Sequence, residues 1–222
     1  MSARTHIHSL NLGMGRAYLV ENKNGLLLVD AGSPGHERRV LRLMRKLKRD
    51  DLRLIFITHA HLDHYGSAAA LSRLTGAAIA VHRLDADAMR LGETPLGEVR
   101  GRGVIIKRLL PLISPLIKLE PTPPDLVLED EWDLSDYGPP ATVIHTPGHT
   151  HGSCCLLVEG RAAFAGDLVS TSGQPHSQRF YAHDWAQIPK SLARLRDLAP
   201  EVVYPGHGRR PLTLDELKTL RA

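Results

Sequence analysis

Four short strand-forming runs in this chain each stop at a histidine or an aspartate, three of them directly beside glycine. Leu54-Ile55-Phe56-Ile57 leads into Thr58-His59-Ala60-His61-Leu62-Asp63-His64-Tyr65-Gly66-Ser67. Thr142-Val143-Ile144 precedes Thr146-Pro147-Gly148-His149-Thr150-His151-Gly152-Ser153. Ala162-Ala163-Phe164 precedes Gly166-Asp167, and Val202-Val203-Tyr204 precedes Pro205-Gly206-His207-Gly208. Apolar runs of this length bounded by turn residues read as buried strands. Glycine and proline let the backbone turn sharply where a strand ends, so each polar residue emerges at a sheet edge. The fold must therefore gather several strand ends at one place.

The first loop puts His59, His61, Asp63 and His64 within six positions. Neutral imidazole and carboxylate are the groups a borderline-soft divalent cation such as zinc takes, and the cysteine usual in structural zinc sites is missing. The competing reading is a histidine-rich surface loop. A short buried strand ending in four such residues has no packing rationale, however, and solvent accepts cheaper residues. His149, Asp167 and His207 are the candidates to complete the set from the other loops.

The order His-x-His-x-Asp-His, Thr-Pro-Gly-His-Thr, Gly-Asp, Pro-Gly-His-Gly resembles the metallo-β-lactamase-fold hydrolase superfamily over nearly the whole chain. The resemblance implies one metal held by His59, His61 and His149 and a second by Asp63, His64 and His207, with the Asp167 carboxylate bridging them. It implies an α/β fold, the four-layer αββα sandwich, with two divalent ions, zinc first and iron or manganese as alternatives. Leu26-Leu27-Leu28-Val29-Asp30-Ala31-Gly32 resembles the family strand that ends in an acidic residue near the site. There Asp30 either orients a ligand loop without touching metal or caps a turn before glycine.

Departures narrow the branch. The exported β-lactamases lack the bridging carboxylate that Asp167 supplies here, and the opening Met1-Ser2-Ala3-Arg4-Thr5-His6-Ile7-His8 has no apolar signal core, which argues against a β-lactamase. Glyoxalase II enzymes share the ligand motifs but carry a helical glutathione domain after the last histidine, where this sequence runs only from Gly208 to Ala222. Acyl-homoserine lactonases have a tyrosine three residues after the bridging aspartate, where this chain has Ser170, with Tyr65 and Tyr181 as possible substitutes. The reading is a glyoxalase II- or lactonase-like hydrolase.

Length and composition fit one domain over residues 1–222, interrupted by an apolar insertion at about 90–124. Cys154 and Cys155 are neighbours in an apolar run, point to opposite faces of a strand and form no disulfide framework, so a cytoplasmic location is expected. No apolar run approaches the roughly 20 residues of a bilayer span. The net charge of +4 raises nucleic-acid binding, but much of the positive charge lies on Arg38, Arg39, Arg42, Arg45, Lys46, Lys48 and Arg49, interleaved with Val40, Leu41, Leu43, Met44 and Leu47. That pattern is an amphipathic helix with a solvated basic face. Aromatic residues make up 5% of the chain, too few for a base-stacking surface, so nucleic acid is not an expected partner.

Three strands are expected over 5–30, turning at Asn11-Leu12-Gly13 and Lys23-Asn24-Gly25. They are followed by a helix at 36–48, a strand at 52–57, a helix at 65–75 and a strand at 77–81. Further strands fall near 126–128, 142–145, 154–158, 161–165 and 201–204, with a helix near 185–198. The tail helix opens on the capping box Thr213-Leu214-Asp215-Glu216. His145 and His151 flank His149, the first reading as a core or ligand-orienting residue, the second as cleft or surface. In the polar loop Ser170–Arg179, His176, Gln178 and Arg179 are candidates to touch substrate; His6, His8, His36 and His82 carry no signal. Within 101–118, Leu109, Leu112, Ile113, Leu116 and Ile117 either close the core or line the cleft mouth or a homodimer contact and select an apolar acyl group.

Two cations roughly 3.5 to 4 Å apart can share a water and lower its pKa from about 15.7 towards about 7. The expected reaction is attack by that bridging hydroxide on a small-molecule ester, thioester or lactone, with Asp63 as the catalytic carboxylate that orients it and moves the proton. A phosphodiesterase or ribonuclease and a mononuclear iron enzyme resembling persulfide dioxygenases are the alternatives.

Overall fold

The computed structural model describes residues 5–101, 103–105, 108 and 119–221. Its first half holds β1 (His6–Leu12), β2 (Gly15–Asn22), β3 (Gly25–Val29), α1 (Glu37–Leu47), β4 (Leu52–Ile57), α2 (Leu62–Tyr65), α3 (Ala68–Thr75), β5 (Ala78–His82) and α4 (Arg83–Leu91), then the short β6 (Glu98–Val99). The second half holds β7 (Leu126–Leu128), β8 (Ala141–His145), β9 (Cys154–Val158), β10 (Ala162–Phe164), β11 (Val169–Thr171), β12 (His176–Ser177) and β13 (Tyr181–Ala182). It closes with α5 (Gln187–Asp197), β14 (Val202–Tyr204), β15 (His207–Gly208), β16 (Leu212–Thr213) and α6 (Leu214–Thr219).

One sheet runs β1-β2-β3-β4-β5-β7 and a second runs β16-β14-β10-β9-β8. The alternation of side chains along each strand explains how they stack. In β3 and β4, Leu27, Val29, Leu54 and Phe56 face Val143, Cys154, Leu156 and Phe164 of the second sheet, forming the layer between the sheets. The opposite face, with Leu28, Ile55 and Ile57, packs under Val40 and Met44 of α1 and Leu71 of α3. Beyond the second sheet, Cys155 and Ala163 meet Ile188, Leu192 and Leu195 of α5 and Leu217 of α6. The result is the expected αββα order of layers, with Cys154 and Cys155 unpaired and buried on opposite faces.

The basic face of α1 is solvated while Val40 and Met44 are buried, as the periodicity requires. The capping box of α6 forms as expected: Thr213 accepts from the Glu216 amide, and the Glu216 carboxylate accepts from that of Thr213. Other expectations need correction. The first hairpin turns at Gly13-Met14, because β1 stays paired through Leu12 with Gly15. The helix expected over 65–75 is two pieces, broken where the Ser67 hydroxyl donates to the Ser33 carbonyl. The expected polar loop 170–179 contains parts of β11 and β12, which join β15 in a three-stranded ribbon. α4 had no counterpart in the sequence reading, since its buried residues are Asp85, Ala86 and Met89, a stripe too polar to show periodicity. The apolar positions Leu109, Leu112, Ile113, Leu116 and Ile117 lie outside the described residues. Among the described residues no helix is long and apolar enough to cross a membrane.

Candidate metal centre

All seven candidate side chains meet where β4, β8, β10 and β14 end. His59 Nε2, His61 Nδ1 and His149 Nε2 form a triangle with sides of 3.1, 3.0 and 3.1 Å. Such a triangle leaves a point within about 2.0–2.1 Å of each nitrogen, the distance at which imidazole binds zinc. Beside it, His64, Asp63 and His207 converge, with His207 Nε2 3.3 Å and His64 Nε2 3.9 Å from Asp63 Oδ2. Asp167 lies between the two groups. Its Oδ2 is 3.4 Å from His149 Nε2 and 3.2 Å from His207 Nε2, and its Oδ1 is 3.3 Å from His64 Nε2.

The outward-facing nitrogens fix the tautomers. His61 Nε2–H donates to the Pro95 carbonyl at 2.7 Å, and His207 Nδ1–H to the Met14 carbonyl at 3.1 Å. His64 Nδ1–H donates to Asp30 Oδ2 at 2.8 Å. His59 Nδ1–H donates to the Thr58 hydroxyl, which itself donates to Asp30. His149 Nδ1 faces the Tyr181 carbonyl at 3.1 Å, with the Gln178 amide nitrogen at 2.9 Å. In the neutral ring His59, His61, His64 and His207 are thus left with a bare lone pair pointing inward, and His149 joins them when its Nδ1–H donates to the Tyr181 carbonyl. The buried atoms His64 Nε2 and Asp167 Oδ1, 3.3 Å apart, have no hydrogen-bond partner beyond each other. Buried polar atoms are rarely left so, and inward lone pairs with a buried carboxylate oxygen are what divalent cations would satisfy. The residues fit the group.

The electrostatics divide the cluster. Burial, with neighbouring imidazoles adding to it, holds His59 well below the ordinary histidine value, lowers His61, and takes His149 to about 3. All three are ready to bind metal as neutral rings. Burial opposes charge on His64 too, but the carboxylates of Asp30, Asp167 and Asp63 outweigh it and raise that ring. Asp167 lifts His207 to about 9. Burial would raise Asp167, yet His207 and His64 hold it well below the usual carboxylate range.

Local packing explains the motif glycines. A side chain on Gly206 would collide with Asp167 Oδ1 and the His64 ring, and Gly166, at φ +47°, sits against the Thr58 hydroxyl. Of the two readings of Asp30, the carboxylate that holds His64 and Thr58 is the one seen. Of the two tyrosines, Tyr181 approaches, its ring 5.4 Å from that of His149, while Tyr65 is buried and donates to the Glu93 carbonyl. His145 stays apart: its Nε2 donates to the His151 carbonyl at 2.9 Å, and its ring stacks 4.1 Å from that of His82. Gln178 touches His149 and the Asp167 carbonyl. The sequence reading missed Thr58, Pro95 and Asp85; Pro95 acts through its carbonyl, which no residue type announces.

A family model described as the metallo-beta-lactamase superfamily matches residues 10–207. The chain belongs to the metallo-β-lactamase superfamily. This superfamily member is 29% identical over 193 residues to hydroxyacylglutathione hydrolase of Aeromonas hydrophila, with 86% of this chain and 59% of that protein covered. It is 29% identical over 175 residues to acyl-coenzyme A thioesterase MBLAC2 of Homo sapiens, with 73% and 60% covered. It therefore spans about three fifths of both relatives. The crystal structure of TTHA1623 in a di-iron-bound form superposes with a TM-score of 0.72 at 28% identity, over 96% of this chain and 97% of that one. The superfamily and its His/Asp groups make this chain a metallo-hydrolase family member with a site suited to divalent metals.

Proposed function

We propose that the protein is a dinuclear metal-dependent hydrolase of carboxylic thioesters, esters or lactones. The observation that carries this reading is the position of Asp167 Oδ2, within 3.4 Å of a nitrogen from each histidine group. One carboxylate shared between two clusters of inward lone pairs suits two cations better than one. His59, His61 and His149 would hold the first, Asp63, His64 and His207 the second, and Asp167 both. Zinc is the proposed occupant, with iron or manganese as alternatives. When bound, the cations would lower the pKa of a water and offset negative charge at a substrate oxygen.

The chain's own residues do the rest. Asp63 keeps 16% of its side-chain surface exposed, whereas Asp167 keeps 4%. It is therefore the carboxylate able to orient an attacking water and pass its proton to the leaving group. Asp30 and the carbonyls of Pro95, Met14 and Tyr181 hold the rings so that no reorganisation is needed when charge develops. Resemblance to an acyl-coenzyme A thioesterase supports thioesters as the first substrates to try.

The test is metal analysis of protein purified without chelator, joined to a panel of acyl thioesters, aryl esters, lactones and a phosphodiester. Two metals per chain and turnover of a carboxylic substrate, mostly lost in Asp167→Ala, are expected. One tightly held iron with oxygen uptake on a persulfide would replace the hydrolase reading with a dioxygenase. Phosphodiester cleavage whose substrate affinity falls steeply with salt would replace it with a nuclease.

A further inference from the structure

The loops bearing His59, His61 and His149 come from different sheets. β4 of the first sheet delivers Thr58–His61, and the turn between β8 and β9 of the second delivers Thr146–Ser153. One backbone bond, from the Cys154 amide to the Thr58 carbonyl, ties them directly. Asp85, the third residue of α4, spans the remaining gap. It is 4% exposed. Its Oδ2 accepts from the Ala60 amide at 2.8 Å and the Thr150 hydroxyl at 2.7 Å, and its Oδ1 accepts from the Gly152 amide at 2.8 Å. Ala60 lies between His59 and His61, and Thr150 follows His149.

Two further features belong to the same arrangement. Gly152 lacks the Cβ that would lie 2.6 Å from the Asp85 carboxyl carbon and Oδ1. The Ser153 hydroxyl accepts from the Thr150 amide at 2.9 Å and lies 2.8 Å from the Thr150 hydroxyl, closing the turn around the carboxylate. Among the described residues no lysine, arginine or histidine forms an ion pair with Asp85, so a buried anion is met by neutral donors alone. A carboxylate in a first helical turn ordinarily serves its own helix; this one turns away to the two loops. Three donors spread over two oxygens need two acceptor atoms. An amide has one.

We propose that Asp85 is a positioning residue for the three-histidine half of the site. By accepting from Ala60, Thr150 and Gly152 it sets the distance of His59 and His61 from His149, and so the affinity of that half for its cation, without touching the cation. The proposal rests on the two-metal reading above. Its effect is local, because the other half is tied down separately: His64 through Asp30 and His207 through the Met14 carbonyl.

The experiment titrates metal-free protein with Zn(II) against a chromophoric chelator, for wild type, Asp85→Asn and Thr150→Val, and records apo thermal midpoints alongside. Outer partners of metal-bound histidines typically contribute about 10- to 100-fold in affinity. Asp85→Asn should therefore weaken one of the two zinc sites by about 10- to 100-fold and leave the other near its wild-type value. Thr150→Val, which keeps the carboxylate and both amide donors, should weaken the same site by less. A lower apo midpoint in Asp85→Asn with both zinc affinities unchanged would mean a purely structural residue and overturn the proposal. If Asp85→Asn does not fold, Thr150→Val decides, and an unchanged affinity there overturns it equally. Wild type that takes up no second zinc would instead overturn the two-metal reading, a result visible before any variant is made.

Discussion

The two histidines His145 and His149 lie four residues apart in one motif, yet their side chains have opposite fates. His149 Nε2 stands 3.0–3.1 Å from two other ring nitrogens, on a side chain only 1% exposed. His145 is at the end of β8, its ring on His82 and its Nε2 spent on a carbonyl. His149→Ala should lose metal from the three-histidine group and activity together, and His145→Ala should leave metal content nearly intact; metal analysis beside a single assay distinguishes them. The opposite pattern would show that the wrong histidine has been assigned. The seven side chains of the candidate site were legible because each is a ligand type in a loop that follows a strand. Thr58 and Asp85 were not, since their roles come from what they accept or donate across loops 25 to 67 residues apart in the chain.

The junction of β5 and α4 shows the same limit for elements. Strands β3, β4, β9 and β14 were readable from their apolar runs, and α1 and α6 from periodicity and capping. α4 was not, because its inward face carries a carboxylate where a helix usually carries leucine. At this junction His82 ends the strand and caps the helix, its Nδ1 accepting from the Leu84 amide at 3.4 Å. Burial, reinforced by neighbouring His145, depresses its pKa to about 4. Protonation would also cost the cap its acceptor. The unfolded chain then takes up a proton near the ordinary value of about 6.5, before the folded protein does. Stability from the neutral ring is thus complete above about 6.5 and is lost as pH falls towards 4. Urea midpoints measured at pH 7.5 and 4.5 should fall less on acidification for His82→Gln than for wild type. Equal falls would show that the ring titrates as freely folded as unfolded.

For the whole molecule, the sheets and the site place opposite demands on the same strand ends. The apolar layers on either side of each sheet bring β4, β8, β10 and β14 together, and their packing asks nothing of the residues that follow. Those residues are five imidazoles and two carboxylates, joined by Asp30 from the end of β3, crowded into a mostly buried volume. Without cations, the neutral rings of His59 and His61 keep inward lone pairs in the interior with no donor assigned to them, where unmet polar groups cost about 1–3 kcal/mol each. The packed layers are large enough to hold the fold in that state, so chelation should give a folded but less stable protein rather than an unfolded chain. Cations that bind the native site and not the unfolded chain stabilise by mass action, about 2.7 kcal/mol at a free concentration one hundred times Kd. Differential scanning calorimetry should therefore show a cooperative transition in chelator, shifted upward by zinc in proportion to the logarithm of its free concentration. Because imidazole and carboxylate bind metal only when deprotonated, the gap between the zinc-loaded and chelated transitions should narrow as pH is lowered. A midpoint indifferent to zinc at neutral pH would mean that the cluster is held by its own ion pairs and is not built around metal.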